Sequence, residues 1–110
     1  MSSQYVRQLP ASALPVTFKQ ADNQVTDFGA FRVLEVYFKI FKAGPSQGSL
    51  FLSHNATMDP DNWKAIAGAS IAQNGTDSFV TVNDFLRYVR VEGTAGDGTG
   101  VGMVDIVAKE

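Results

Sequence analysis

Residues 31–43, FRVLEVYFKIFKA, run without glycine or proline, and nearly every residue favours an extended backbone. The even positions from 34 to 40 are Leu34, Val36, Phe38 and Ile40, all apolar. The odd positions, Val33, Glu35, Tyr37, Lys39 and Phe41, mix apolar with charged groups. A period of two is the signature of a strand with one face fully buried and the other partly so. Such a strand needs a second layer to cover it. We therefore expect it to be the central strand of a small β-sandwich.

Other segments repeat the pattern at short intervals. Residues 15–19 alternate around Val16 and Phe18. Residues 49–54 place Leu50 and Leu52 inward with Phe51 on the opposite face. Residues 63–67 and 69–72 read as short strands, or as one strand bent at Gly68. Residues 78–82, 86–94 and 101–108 complete the set. In the second of these Val89 and Val91 share a face, with Leu86, Tyr88 and Arg90 on the other; in the last Val104, Ile106 and Ala108 share one.

Turn chemistry separates the segments: Asp22, Asn23 and Gly29 in the loop 20–30, Gly44-Pro45-Ser46-Gln47-Gly48, the polar loop 55–62, Asn74-Gly75, and Asn83-Asp84. Asn74-Gly75 is the strongest hairpin signal, because both residues tolerate positive φ. The glycine-rich residues 93–102 read as a second hairpin tip. Seven or eight short strands without helical periodicity give an all-β antiparallel sandwich, or jelly roll.

Two units are expected, an extended N-terminal arm over residues 1–14 and a sandwich over 15–110. Pro10 and Pro15 exclude a helix from the arm, whose sizeable apolar groups before Leu14 are Tyr5, Val6 and Leu9. It reads either as a frayed terminus or as an arm lying on a neighbouring subunit. Under the second reading those three residues are interface candidates.

The chain is long enough to bury a core without staples. It has no cysteine, which excludes disulfides, thiolate zinc sites and a Cys nucleophile. Nine basic residues against eleven acidic ones, scattered along the chain, do not make a nucleic-acid footprint. Residues 1–13 lack the basic start and apolar run of a signal peptide, and no segment approaches a membrane span. A soluble protein is expected, with neither nucleic acid nor membrane as partner.

Candidate chemistry is sparse. His54 is the only histidine, and no Gly-x-Ser-x-Gly elbow offers it a nucleophile. Asp59, Asp61 and Asn62, in MDPDNW, carry oxygen ligands, but without the twelve-residue calcium-loop spacing; a solvated turn around Pro60 accounts for them equally well. The run GDGTGVG, residues 96–102, lacks the Gly-Lys-Ser/Thr and helix start of a phosphate loop. The sequons at Asn55 and Asn74 fall in loops. Trp63, Tyr37 and Tyr88 could stack on a sugar, though aromatic groups in a small sandwich also serve its core or a subunit contact. No metal, cofactor or catalytic residue is assigned. His54, Asp59, Asp61, Asn62 and Trp63 are the ligand-binding candidates.

The pieces Leu50-Phe51-Leu52-Ser53-His54, Asp61-Asn62-Trp63 and Leu86-Arg87-Tyr88-Val89-Arg90-Val91 resemble the discoidin-like, galactose-binding-like jelly rolls. The whole chain, closing on Val107-Ala108-Lys109-Glu110, is similar to small virion proteins of tailed bacteriophages. Neither family is enzymatic. Its lack of terminal cysteines separates the chain from extracellular discoidin domains and favours the virion resemblance.

The resemblance implies a non-enzymatic structural protein of a phage particle: head decoration, tail, baseplate or fibre. Its partners would be other virion proteins and copies of itself. Deleting residues 2–14 would then leave a folded domain that no longer assembles. The alternative is a carbohydrate-binding module that takes a cell-surface glycan with the loops around Asp59 to Trp63 and Asp97. A hydrolase using His54 as base comes third.

Overall fold

The computed structural model describes residues 3–15, 17–43, 48–94 and 99–110. Nine strands and one short 3-10 turn, residues 22–24, make up the regular structure among them. The strands are β1 (Ser3–Leu14), β2 (Phe18–Lys19), β3 (Thr26–Asp27), β4 (Val33–Lys42), β5 (Ser49–Asn55), β6 (Lys64–Ala72), β7 (Ser78–Val82), β8 (Tyr88–Thr94) and β9 (Gly100–Lys109). They build two antiparallel sheets. One has the order β1-β9-β4-β7; the other runs β2-β8-β5-β6, with β3 beside β2 on the same edge of β8. Among the described residues no helix is long and apolar enough to cross a membrane.

The alternation in residues 31–43 is realised as expected. Leu34, Val36 and Phe38 are fully buried, and Ile40 packs against the core. β4 lies inside its sheet, paired with β9 on one side and β7 on the other. Facing it from the second sheet are Leu50, Leu52, Val89 and Val91, all without exposed surface. Val104, Ile106 and Ala108 of β9 join the same cluster. Each such aliphatic side chain contributes about 1.5–3 kcal/mol by leaving water. Where the side chains of two flanking strands converge over β9 the core takes a glycine: a Cβ on Gly102 would stand 3.2 Å from Ile40 Cδ1 of β4 and 3.3 Å from Leu14 Cδ1 of β1.

Three expectations are corrected. Residues 3–14 are not an arm apart from the sandwich. They pair with β9 along nearly their whole length and bury Leu9 and Leu14 in the core. Their alternation is hidden in the sequence by two register shifts, between Arg7 and Leu9 and between Leu9 and Ser12. Such bulges turn side chains to the other face. Leu9, 3% exposed, is therefore a core residue and not an interface candidate.

Asn74-Gly75 does not close a hairpin either. A tight turn forms, with Gly75 N donating to Ala72 O at 2.8 Å, but β6 and β7 belong to different sheets. Gln73 is buried there, its backbone donating to Gly48 O at 2.6 Å, so the chain crosses instead of folding back.

Residues 93–102 likewise connect strands of different sheets and are not a hairpin tip. Of that loop, 95–98, with Gly96, Asp97 and Gly98, lie outside the described residues, as do Val16 and 44–47 of the expected strand and turn.

β6 is a single bent strand. Gly68 sits at its bend with φ +80°, a left-handed conformation that glycine alone adopts freely.

Candidate functional site

β5 and β6 are joined by residues 56–63, which hold four of the five ligand-binding candidates. A relay of short polar bonds organises this loop. Buried Asn55 donates through Nδ2 to Asp59 O at 2.7 Å and accepts from Thr57 N at 3.1 Å. Thr57 Oγ1 accepts from Asp59 N at 3.2 Å. Asp59 in turn accepts from Asp61 N through Oδ1 (2.9 Å) and from Asn62 Nδ2 through Oδ2 (3.1 Å). Each is a side-chain-to-backbone or side-chain bond of the kind Asx and Ser/Thr turns use.

Both Asp59 oxygens thus accept bonds from within the turn. Among the described residues no group of three or more acidic or histidine side chains is placed to hold a metal ion.

The loop delivers Trp63 to the outer face of the five-stranded sheet, where the Arg90 guanidinium lies 4.2 Å from its ring centroid. Arg90 belongs to β8, directly opposite Ser53 of β5. Its side chain is only 8% exposed, and Nε donates to Glu92 Oε2 at 3.2 Å. The Ser53 hydroxyl donates to the same carboxylate oxygen. A buried cation is thereby held between an aromatic face and a carboxylate, the arrangement its desolvation demands. The indole Nε1 of Trp63 is buried with no hydrogen-bond partner.

His54 is turned the other way. It sits opposite Val89, a core residue, so its side chain points between the sheets near the end of the sandwich. Its Nδ1 accepts from Leu86 N at 3.1 Å, which puts the ring proton on Nε2. Burial holds its pKa below the usual 6.5, and the nearby Lys64 charge adds to that. The hollow beside it is lined by Ala65, Ala67, Thr81 and Asp84. The five candidates therefore do not converge: Asp59, Asp61 and Asn62 form one turn, Trp63 caps Arg90, and His54 ties down the loop before β8.

The outer face of the four-stranded sheet is a second candidate surface. Directly opposed residues share a face, so the register sets Arg7, Asp105, Tyr37 and Phe79 in one row and Tyr5, Val107, Glu35 and Thr81 in the next. Asp105 accepts from Tyr5 Oη and from Arg7 Nε, both at 3.0 Å, and Lys109 Nζ pairs with Glu35 at 2.5 Å. Large exposed groups stand on three of the sheet's strands: Tyr5 on β1 is 57%, Phe41 on β4 50% and Phe79 on β7 60% exposed. Tyr5 is thus the one interface candidate that faces fully outward, because Val6 is half-buried against the core.

Phe41 and Phe79 were not singled out in the sequence. Phe41 lies at the end of β4, beyond the residues that β7 pairs with, and Phe79 lies on an edge strand; SFVTV looks the same in an inner or an outer strand. Arg90 was noted only as part of a strand face; its buried pairing with Glu92 and Ser53 requires two strands far apart in sequence. No protein-family model and no curated protein matches the chain.

Proposed function

We propose that this chain is a non-enzymatic structural subunit that works through contacts of its sheet faces with other protein surfaces. The observation that carries this is the aromatic outer face of the four-stranded sheet, where Tyr5, Phe41 and Phe79 each leave half or more of their surface in water. The three are spread over that face, Tyr5 on β1, Phe41 near the end of β4 and Phe79 on β7, with the Arg7–Asp105 and Lys109–Glu35 pairs among them, and each offers an aromatic contact to a partner surface. The finer reading is a component of a tailed-phage particle, a decoration, tail, baseplate or fibre protein. Two lines support it: the motif resemblance described above and the strand order. The order β1-β9-β4-β7 in one sheet and β2/β3-β8-β5-β6 in the other supports reading the sandwich as a jelly roll, a fold much used in viral shells. Fold alone does not assign function.

The test is the association state of the full chain. Native mass spectrometry and pull-down with purified particles should show multimers or particle binding. Tyr5→Ser with Phe41→Ser should weaken that association while far-UV circular dichroism stays unchanged. A wild-type chain that stays monomeric and binds no particle would reject the proposal.

A second reading, a carbohydrate-binding module, is favoured by the rigid loop that presents Trp63. One face of its indole is stacked on Arg90, and the residue keeps part of its surface in water beside Asp61 and Asn62. Sugar rings stack on such platforms. Glycan-array binding that disappears in Trp63→Ala would support this reading; an array blank for the wild type would remove it.

A further inference from the structure

We propose that β7 is a docking edge for a second copy of this chain, joining two four-stranded sheets into one continuous eight-stranded sheet. The inference rests on the reading above, that the protein acts through subunit contacts, and it names the partner and the strand. Among the described residues β7 pairs with β4 only. Alternate residues of any edge strand point their N–H and C=O groups outward, so β7 offers an unused row.

The outer strands differ in how they are guarded. β1 carries Pro10, Arg7 and two register shifts, and its neighbours β2 and β3 are tied to it through Gln8 and Gln20. β2 carries Lys19, β3 carries Asp27 and β6 carries Lys64. Charges, prolines and bulges on an edge oppose strand addition. β7, Ser78-Phe79-Val80-Thr81-Val82, has none of them.

A second copy fits this edge by self-complementarity. Antiparallel pairing about a twofold axis must set outward residues opposite outward residues, so the axis passes through a residue and not between two. Centred on Val80, it sets Phe79 opposite Thr81 of the other copy, Ser78 opposite Val82, and Val80 opposite itself. No charge meets its like. Asp77, the nearest carboxylate, is already engaged by Tyr37 Oη at 2.8 Å and Ile40 N at 3.2 Å. Phe79, the most exposed large apolar side chain, gains a cross-strand neighbour in this arrangement.

The experiment exploits the 79–81 opposition. Sedimentation equilibrium of the full chain, from micromolar to millimolar concentration, should show a species of twice the chain mass. F79K/T81K places two lysine pairs face to face and should abolish that species. F79E/T81K replaces the same two residues but sets Glu against Lys, and should restore it. Circular dichroism and thermal melting of each variant confirm that the fold is kept. A wild type that associates equally well as F79K/T81K would overturn the β7 edge while leaving the assembly reading intact. A wild type that is monomeric throughout this range yet binds particles would likewise remove self-pairing alone. Monomer behaviour with no particle binding removes both.

Discussion

The side-chain oxygen of Gln20 accepts from Gln8 Nε2 at 2.8 Å and from the backbone N–H of Val91 at 2.9 Å. Gln20 N donates in return to Val91 O at 3.0 Å, so one residue supplies both halves of a missing strand bond between β2 and β3. Gln20 Nε2 donates to Gln8 O at 2.6 Å, and Gln8 also reaches Gln24 O and accepts from the Thr26 hydroxyl. Both glutamines are buried. The bonds fasten β1 of one sheet to the edge of the other and close that side of the sandwich.

Gln20→Ala should accordingly cost about 1–3 kcal/mol, because it leaves the buried Val91 N–H without its acceptor and takes one partner each from the Gln8 amide and the Gln8 carbonyl. Gln8→Ala should cost a similar amount. The double variant should lose less than the sum, since both changes break the same bonds. Urea unfolding of the four chains measures this; strict additivity would show that the two amides act independently.

Removing residues 3–14 should unfold the protein or lower its melting temperature sharply. The truncation takes Leu9 and Leu14 from the core and strips the β9 edge of its partner. Leu-to-Ala changes in cores alone cost about 2–5 kcal/mol each. A truncated chain that melts like the full one would mean that β1 adds nothing to the sandwich. This is the reverse of what a detachable arm would do.

How far the fold could be read from the sequence is clear from individual elements. The faces of β4, β8 and β9 were legible because Leu34, Val36 and Phe38, Val89 and Val91, and Val104, Ile106 and Ala108 alternate without interruption. β7 was legible down to its ends. β1 was not, because register shifts on either side of Leu9 break the period. The Asn74-Gly75 turn was located, but its consequence was misread: local turn chemistry does not say whether the next strand returns to the same sheet. The buried glutamines and the Arg90-Glu92-Ser53 cluster were out of reach. A polar residue is buried only when partners from distant strands satisfy it, and one sequence does not show those pairings. Of the site candidates, the turn at Asp59, Asp61 and Asn62 was visible in its composition, whereas the opposed directions of His54 and Trp63 follow from register.

Glu92→Ala should destabilise by about 2–4 kcal/mol, leaving the enclosed Arg90 guanidinium and the Ser53 hydroxyl without their acceptor. Adding Arg90→Met to that variant should recover part of the loss, because an apolar side chain under the Trp63 ring needs no counter-charge. Trp63 is the only tryptophan, so its emission follows unfolding and the local environment of the stack together. No recovery in the double variant would mean that Arg90 serves the fold through contacts other than this ion pair.

His54 gives the protein a pH dependence whose sign follows from its bond to Leu86. Protonating Nδ1 removes the acceptor, so folding favours the neutral ring, and burial, aided by Lys64, keeps the folded pKa below 6.5. The folded state then binds fewer protons than the unfolded state between the two values, and stability rises with pH in that window. The contribution is complete above 6.5 and is lost as pH falls through the folded pKa. Melting temperature should therefore drop from about pH 7 to about pH 5, and the drop should flatten in His54→Gln. Because His54 is the sole histidine, its ring proton resonance gives the folded pKa directly. Lys64→Gln should move that value back toward 6.5. Asp84 also faces the hollow beside the ring, and Asp84→Asn checks that its charge does not set the direction. A titration midpoint above 6.5 would reverse the sign and remove the Leu86 bond from the account.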